Sequence, residues 1–359
     1  MALNVAPYFG PILSLFYLLL LWAQPSLILA EAPAAQYPKA PKTLLLDITA
    51  HEDLILAVGQ RGHILRSSDG GDHFSLQHSP TAHTLTSILA ISPTVILAAG
   101  HHLTLIRSTD AGQTWSALTL DHSDSSPWLD LLALDHEYII AIGAYGHLAT
   151  SKDQGLTWTV DFATGEDFHL NAIAQIGPNK LAIAGEAGRI YISADRGESW
   201  RAFEPPYEGS FFAVEKVAYN KALFLGLRGK VLLGDFTEPT PRWTLTTTAA
   251  EQSWFGVSAA REQGAFWLVG AGGQFAFLKS TDLLQKHARK RIPAATTFYF
   301  LNRFDRANLA KVLSHRDQLW TAGENGLVRY EKHISSSASE TTPKVTEIKY
   351  TFKATPAKQ

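Results

Sequence analysis

The chain has 359 residues, 46% of them hydrophobic and 18% charged, with a formal net charge of −2. That supplies a large core and excludes a globally basic, nucleic-acid-like surface. It contains no cysteine, which excludes a disulfide scaffold, thiolate metal sites, a cysteine nucleophile and a lipid-modified cysteine.

Residues 11–30 are almost entirely apolar, interrupted mainly by Gln24, Pro25 and Ser26. The run 12–23 has the length of a signal-peptide core, Pro25 breaks its helix, and Ala30, Ala32 and Ala34 are small residues suited to cleavage. No Lys or Arg precedes the run, so an uncleaved anchor is the competing expectation, roughly twenty residues being enough to span a bilayer. Either way residues 1–30 are expected to place the body in an exported, periplasmic or thylakoid-lumen-like compartment. Residues 31–42, rich in Ala, Pro and Lys, read as a linker.

From Thr43 onward a short apolar run ending in glycine recurs seven times, at Gly59, Gly100, Gly143, Gly185, Gly226, Gly270 and Gly323, with steps of 41, 43, 42, 41, 44 and 53 residues. Another apolar run precedes each, as in TLLLDI, WLDLLAL, FAVEKVAY and NLAKVLS. A tight turn follows, Gly-x-x-Gly in six repeats and GHHL in the second. Periods in the forties with short strands give one four-stranded blade per repeat. Seven repeats therefore predict a single all-β, seven-bladed β-propeller of antiparallel blades over residues 43–334. A propeller closes as one unit, which overrules the two domains that length alone suggests.

The first four repeats share the phrase Ser-x-Asp-x-Gly-x-x-aromatic. It comprises Ser67, Asp69, Gly71 and Phe74; Ser108, Asp110, Gly112 and Trp115; Ser151, Asp153, Gly155 and Trp158; and Ser193, Asp195, Gly197 and Trp200. The carboxylate can accept backbone N–H groups ahead of it, the glycine supplies positive φ, and the aromatic re-enters the core. Repeats five to seven lose the phrase, with Gly234, Leu278 and Glu331 in the serine position, and Trp243 falling two residues late implies a longer corner.

The long step before Gly323 marks an insertion at about 279–316 holding nine Lys or Arg against two Asp or Glu, among them Arg289, Lys290, Arg291, Arg303 and Arg306. With Phe298, Tyr299, Phe300 and Phe304 as apolar anchors, it reads as a docking surface for an acidic protein loop or anionic lipid headgroups. In the tail 335–359, KVTEIKYTF alternates well enough to supply a closing outer strand, with a disordered tail as its rival.

The phrase aspartates recur once per blade and so are dispersed around the ring, a structural pattern and not a catalytic one. The middle residues of the glycine turns vary freely, and the turns share a face with the loops linking blades. Arg61, Tyr145 and Arg228 are therefore candidates for partner contact. His101 and His102 have no second ligand at metal-binding spacing on their element, so neither metal nor cofactor is expected. His63 and His147 repeat in phase, which argues packing or surface. No set of carboxylates converging in one pocket is visible. A monomeric propeller with no nucleic-acid role is expected.

The phrase resembles the Asp-box, or bacterial neuraminidase repeat. GQRGHILRSSDGGDHF, GAYGHLATSKDQGLTW and GEAGRIYISADRGESW together resemble the photosystem II stability and assembly factor family, over roughly residues 43–333 and most clearly in the first four repeats. The resemblance implies a non-catalytic factor that holds a membrane-protein intermediate from the exported side. A bacterial transporter complex is an alternative partner. Sialidases resemble the chain in the box alone, because Arg291-Ile292-Pro293 follows the last box where theirs precedes the first. A carbohydrate-active hydrolase on the same scaffold is the competing class.

Overall fold

The computed structural model describes residues 43–120, 125–248, 251–260, 264–279, 298–301, 306–333 and 344–347. Among these residues the strands form seven four-stranded antiparallel sheets, each built from four strands consecutive in sequence. Blade one is Leu45–His51, Leu54–Gly59, Ile64–Ser67 and Ser75–Gln77. The six following inner strands are Leu85–Ala90, Trp128–Ala133, Leu170–Gln175, Phe211–Ala218, Trp254–Ala259 and Leu309–His315. Each inner strand touches the next, and the seventh touches the first, so the ring is closed.

There is no single core. Seven apolar clusters occupy the seven seams between neighbouring sheets. The second strand of each blade is covered on both faces, so it cannot alternate: Ile96–Gly100, Ile139–Gly143 and Leu181–Gly185 are buried at every position. This two-sided burial is the physical reason for the continuous apolar runs in the sequence.

Every inner strand carries a β-bulge at its second residue. The pairing skips Leu46, Thr86, Leu129, Asn171, Phe212, Phe255 and Ala310 in turn. An extra residue bends the strand and re-aims its side chains. All seven of the skipped residues line the central channel.

Blade seven comprises Leu309–His315, Gln318–Gly323, Gly326–His333 and, from the tail, Lys344–Glu347. Blades seven and one join through side chains. Trp320 lies edge-on to Phe74 at 5.6 Å, and a Cβ on Gly71 would fall 2.3 Å from the Trp320 ring. The same relation repeats round the ring: Gly112 faces Leu56, Gly155 faces Leu97 and Gly197 faces Ile140, each on the preceding blade. Polar contacts reinforce the closing seam, with Arg329 paired to Asp72 at 3.0 Å, Arg316 paired to Asp53, and the His315 ring 2.6 Å from the Glu52 carbonyl.

Of the insertion's described residues, several belong to strands. Lys279 ends the third strand of blade six, and the backbone of Phe298–Leu301 forms its fourth strand. Lys311 lies on an inner strand and faces the channel, while Arg316 is taken up at the closing seam. The charge of 298–316 hides its strand patterning in the sequence. Arg306 is exposed, and Arg289, Lys290, Arg291 and Arg303 lie outside the described residues, as do the expected signal segment and linker at 1–42.

Candidate partner-binding face and central channel

The glycine turns and the loops entering the inner strands share one face, here called the mouth. In all seven blades the first middle residue of the turn donates its N–H to the carbonyl just ahead of the inner strand. The pairs are Gln60 to Leu44, His101 to Thr84, Ala144 to Pro127, Glu186 to His169, Leu227 to Ser210, Ala271 to Ser253 and Glu324 to Asn308. In blades one to six two successive turn residues have positive φ, as in a type I′ hairpin. Arg61, His102, Tyr145, Ala187 and Arg228 occupy the first of these positions, at φ 51 to 58°, and all are exposed. The second repeat keeps this shape without its glycine, because Leu103 adopts φ 51° and is buried.

Variation in these side chains is thus free of fold constraints, although the left-handed backbone costs a non-glycine residue about 1 kcal/mol. Tyr145 is 48% exposed and stands edge-on to His169 at 4.8 Å. Phe162, 53% exposed, packs against the ring of His147, which follows the same turn. His63 and His147 are core residues, each 2% exposed. Burial lowers the His63 pKa, and Arg61 lowers it further. In blade two the His83 and His102 rings stack at 4.3 Å, and burial, then His102 and His83, lowers the pKa of His101. No group of three or more His, Cys, Asp or Glu among the described residues is arranged to hold a metal.

The phrase corners stand on the opposite face, one in each of blades one to four. In blade two the Ser108 hydroxyl donates to Asp110 at 2.8 Å and accepts the Gly112 N–H at 2.9 Å, while Asp110 Oδ1 accepts the N–H groups of Gln113 and Thr114. Asp69, Asp153 and Asp195 repeat the arrangement with their own serines, Ser67, Ser151 and Ser193. The Thr114 hydroxyl and N–H, foremost among these donors, hold the Asp110 carboxyl down at about 2. Each carboxylate is consumed by its own corner.

Convergence occurs instead in the centre, among residues whose spacing in the sequence gives no sign of it. Asp47, Asp130, Glu215 and Lys311 line a cavity of about 480 Å³. Asp47 and Asp130 occupy the third position of inner strands one and three. Each accepts its own following N–H, from Ile48 and Leu131, and one from the next blade, Ile88 at 2.8 Å and Ile173 at 3.0 Å. They therefore stitch blades together. Lys311, third on inner strand seven, sits 3.4 Å from Asp47, with 37% of its side chain open to the channel. The Ser87 hydroxyl lies 3.2 Å from Asp47 and 3.3 Å from Asp130. A hydroxyl has one proton, so both contacts are hydrogen bonds at once only when one of the two carboxyls carries a proton of its own. Burial, then the nearby Asp47 charge, raises the Asp130 pKa against the pull of Lys311. Glu215, two positions further along inner strand five, is pushed up to about 7 by burial.

No protein-family model matches the chain. The vacuolar protein sorting/targeting protein 10 of Talaromyces marneffei is 28% identical over 42% of this chain, which spans only 10% of that protein's length. Among solved structures, YCF48 bound to a D1 peptide is similar with a TM-score of 0.64 at 17% identity, covering 86% of this chain and 97% of its own. YCF48 from Cyanidioschyzon merolae has a TM-score of 0.61 at 13% identity, covering 84% and 98%. The WD40 β-propeller domain of Doa1 reaches 0.62 at 12% identity, covering 84% and 95%. At these identities the likeness is one of fold.

Proposed function

We propose that the chain is a non-catalytic, exported propeller that binds a segment of a partner protein on its mouth face, as an accessory or assembly factor for a membrane complex. The observation that carries this reading is the turn geometry: a fixed hydrogen-bonded frame presents exposed, freely variable side chains, Arg61, Tyr145 and Arg228 among them, on one face. Fold similarity to a propeller bound to a peptide supports a protein ligand. The resemblance of the glycine turns and phrase to photosystem II assembly factors supports a membrane-complex partner, with a bacterial transporter complex as the alternative host. The carbohydrate-active alternative is weakened by the channel chemistry, since Asp47 and Asp130 are committed to backbone N–H groups. Most glycoside hydrolases need two free carboxyl groups flanking the substrate.

The test is affinity capture from solubilised membranes with three full-length proteins: wild type, Arg61→Glu/Tyr145→Ala/Arg228→Glu, and Arg289→Glu/Lys290→Glu/Arg291→Glu. Retention of a membrane complex by wild type and its loss from the mouth variant supports the reading. Loss only from the second variant moves the contact to the basic segment. Capture of no partner by wild type overturns the binding role and makes glycoside hydrolysis the next assay.

A further inference from the structure

The channel contains a carboxylate that neither blade stitching nor mouth-face binding uses. Asp47 is engaged by Ile48, Ile88 and Lys311, Asp130 by Leu131 and Ile173, and the Ser87 hydroxyl lies within reach of both. Glu215 accepts only the N–H of its own neighbour Lys216, at 3.1 Å, and forms no ion pair within 4.0 Å among the described residues. It is half-buried and lines the same cavity.

Two aromatic rings line the same channel. Phe212 and Phe255 are the bulged residues of neighbouring inner strands, both line the channel, and their rings stand edge to face at 5.4 Å. Phe212 precedes Glu215 by three residues on one strand, and the bulge brings both to the channel side. A carboxylate and aromatic rings lining one channel, partly shielded from bulk water, supply the chemistry that recognises an organic cation. Asp47 and Lys311 balance one another at 3.4 Å, so an ionised Glu215 adds a negative charge that favours a further cation. Because Lys216 already engages Oε1, Glu215 offers one oxygen, which suits the point charge of an ammonium better than the two-pronged guanidinium.

We propose that the central channel is a binding site for a primary alkylammonium group, held between the Glu215 carboxylate and the rings of Phe212 and Phe255. The group comes either from a free small amine or from a lysine side chain of a bound segment. The site goes beyond the mouth-face reading and stands without it. The titratable groups facing the ligand are Glu215, Asp47, Asp130 and Lys311. Binding draws the Glu215 carboxyl into its ionised form, so affinity rises as pH climbs through about 7.

The experiment is calorimetric titration of the full chain with n-butylammonium, with n-butanol as the uncharged counterpart and a lysine-containing pentapeptide as the second source. Saturable one-site binding of butylammonium, absence of butanol binding, and about tenfold weakening by Glu215→Gln are expected. Glu215→Gln removes a half-buried charge with one backbone N–H as its hydrogen-bond donor, so folding is retained. As a measure independent of any variant, the wild-type affinity should fall between about pH 8 and pH 6. Tighter binding of the pentapeptide assigns the lysine source, and tighter binding of butylammonium assigns a small amine. Equal binding of butanol, an unchanged affinity in Glu215→Gln, or no saturable binding overturns the proposal.

Discussion

Glu215 gives the structure a pH-dependent stability that a single substitution should remove. Its ordinary pKa of 4.5 is raised to about 7 in the folded chain, chiefly by burial. The folded state therefore holds this proton more tightly than the unfolded state. Its contribution is fully present below 4.5 and is lost as pH rises through about 7. Each pH unit across that window is worth about 1.4 kcal/mol, less some screening by channel water, so wild type should lose about 2 kcal/mol between about pH 5 and pH 8 from this residue alone. Glutamine keeps the shape and cannot ionise. In urea unfolding at the two pH values, the wild-type midpoint should fall relative to that of Glu215→Gln, the variant being the more stable at the higher pH. Parallel behaviour of the two proteins would refute the assignment of Glu215 to a water-poor channel site.

Three further predictions concern the frame. Trp320→Ala empties the closing seam against Gly71 and Phe74 and should cost about 3–5 kcal/mol, read as a large drop in melting temperature. Ala187→Gly relieves a side chain held at φ 51° on an exposed turn and should stabilise the chain by about 0.5–1 kcal/mol in denaturant unfolding. Asp153→Ala leaves the N–H groups of Leu156 and Thr157 and the Thr157 hydroxyl without their acceptor, and should cost about 1–2 kcal/mol while leaving partner capture unchanged.

The ring is legible in the sequence because one geometric unit recurs: the glycine ending each second strand, the turn after it and, in four blades, the serine–aspartate corner. Those residues answer local backbone demands, which repeat in sequence as they do in space. Glu215, Asp47, Asp130 and Lys311 meet only across the channel, so no spacing announces them. Their signal is a charge inside otherwise apolar inner runs, Asp in TLLLDI and WLDLLAL, Glu in FAVEKVAY and Lys in NLAKVLS. For Lys311 it is obscured further, because neighbouring Lys and Arg residues make it look like part of a surface patch. Leu103 shows the reverse: GHHL breaks the pattern in residue type, yet the hydrogen bond from Thr104 N–H to the His101 carbonyl restores the same turn.

The claim that the mouth face is the contact surface is tested most directly by photo-crosslinking. A benzophenone side chain is placed in turn at Tyr145 on the mouth and at Leu156, 55% exposed at a corner on the opposite face. In membranes from the native host, an adduct with a partner protein is expected from position 145 and none from position 156. An adduct from position 156 alone would place the contact on the other face and contradict the account.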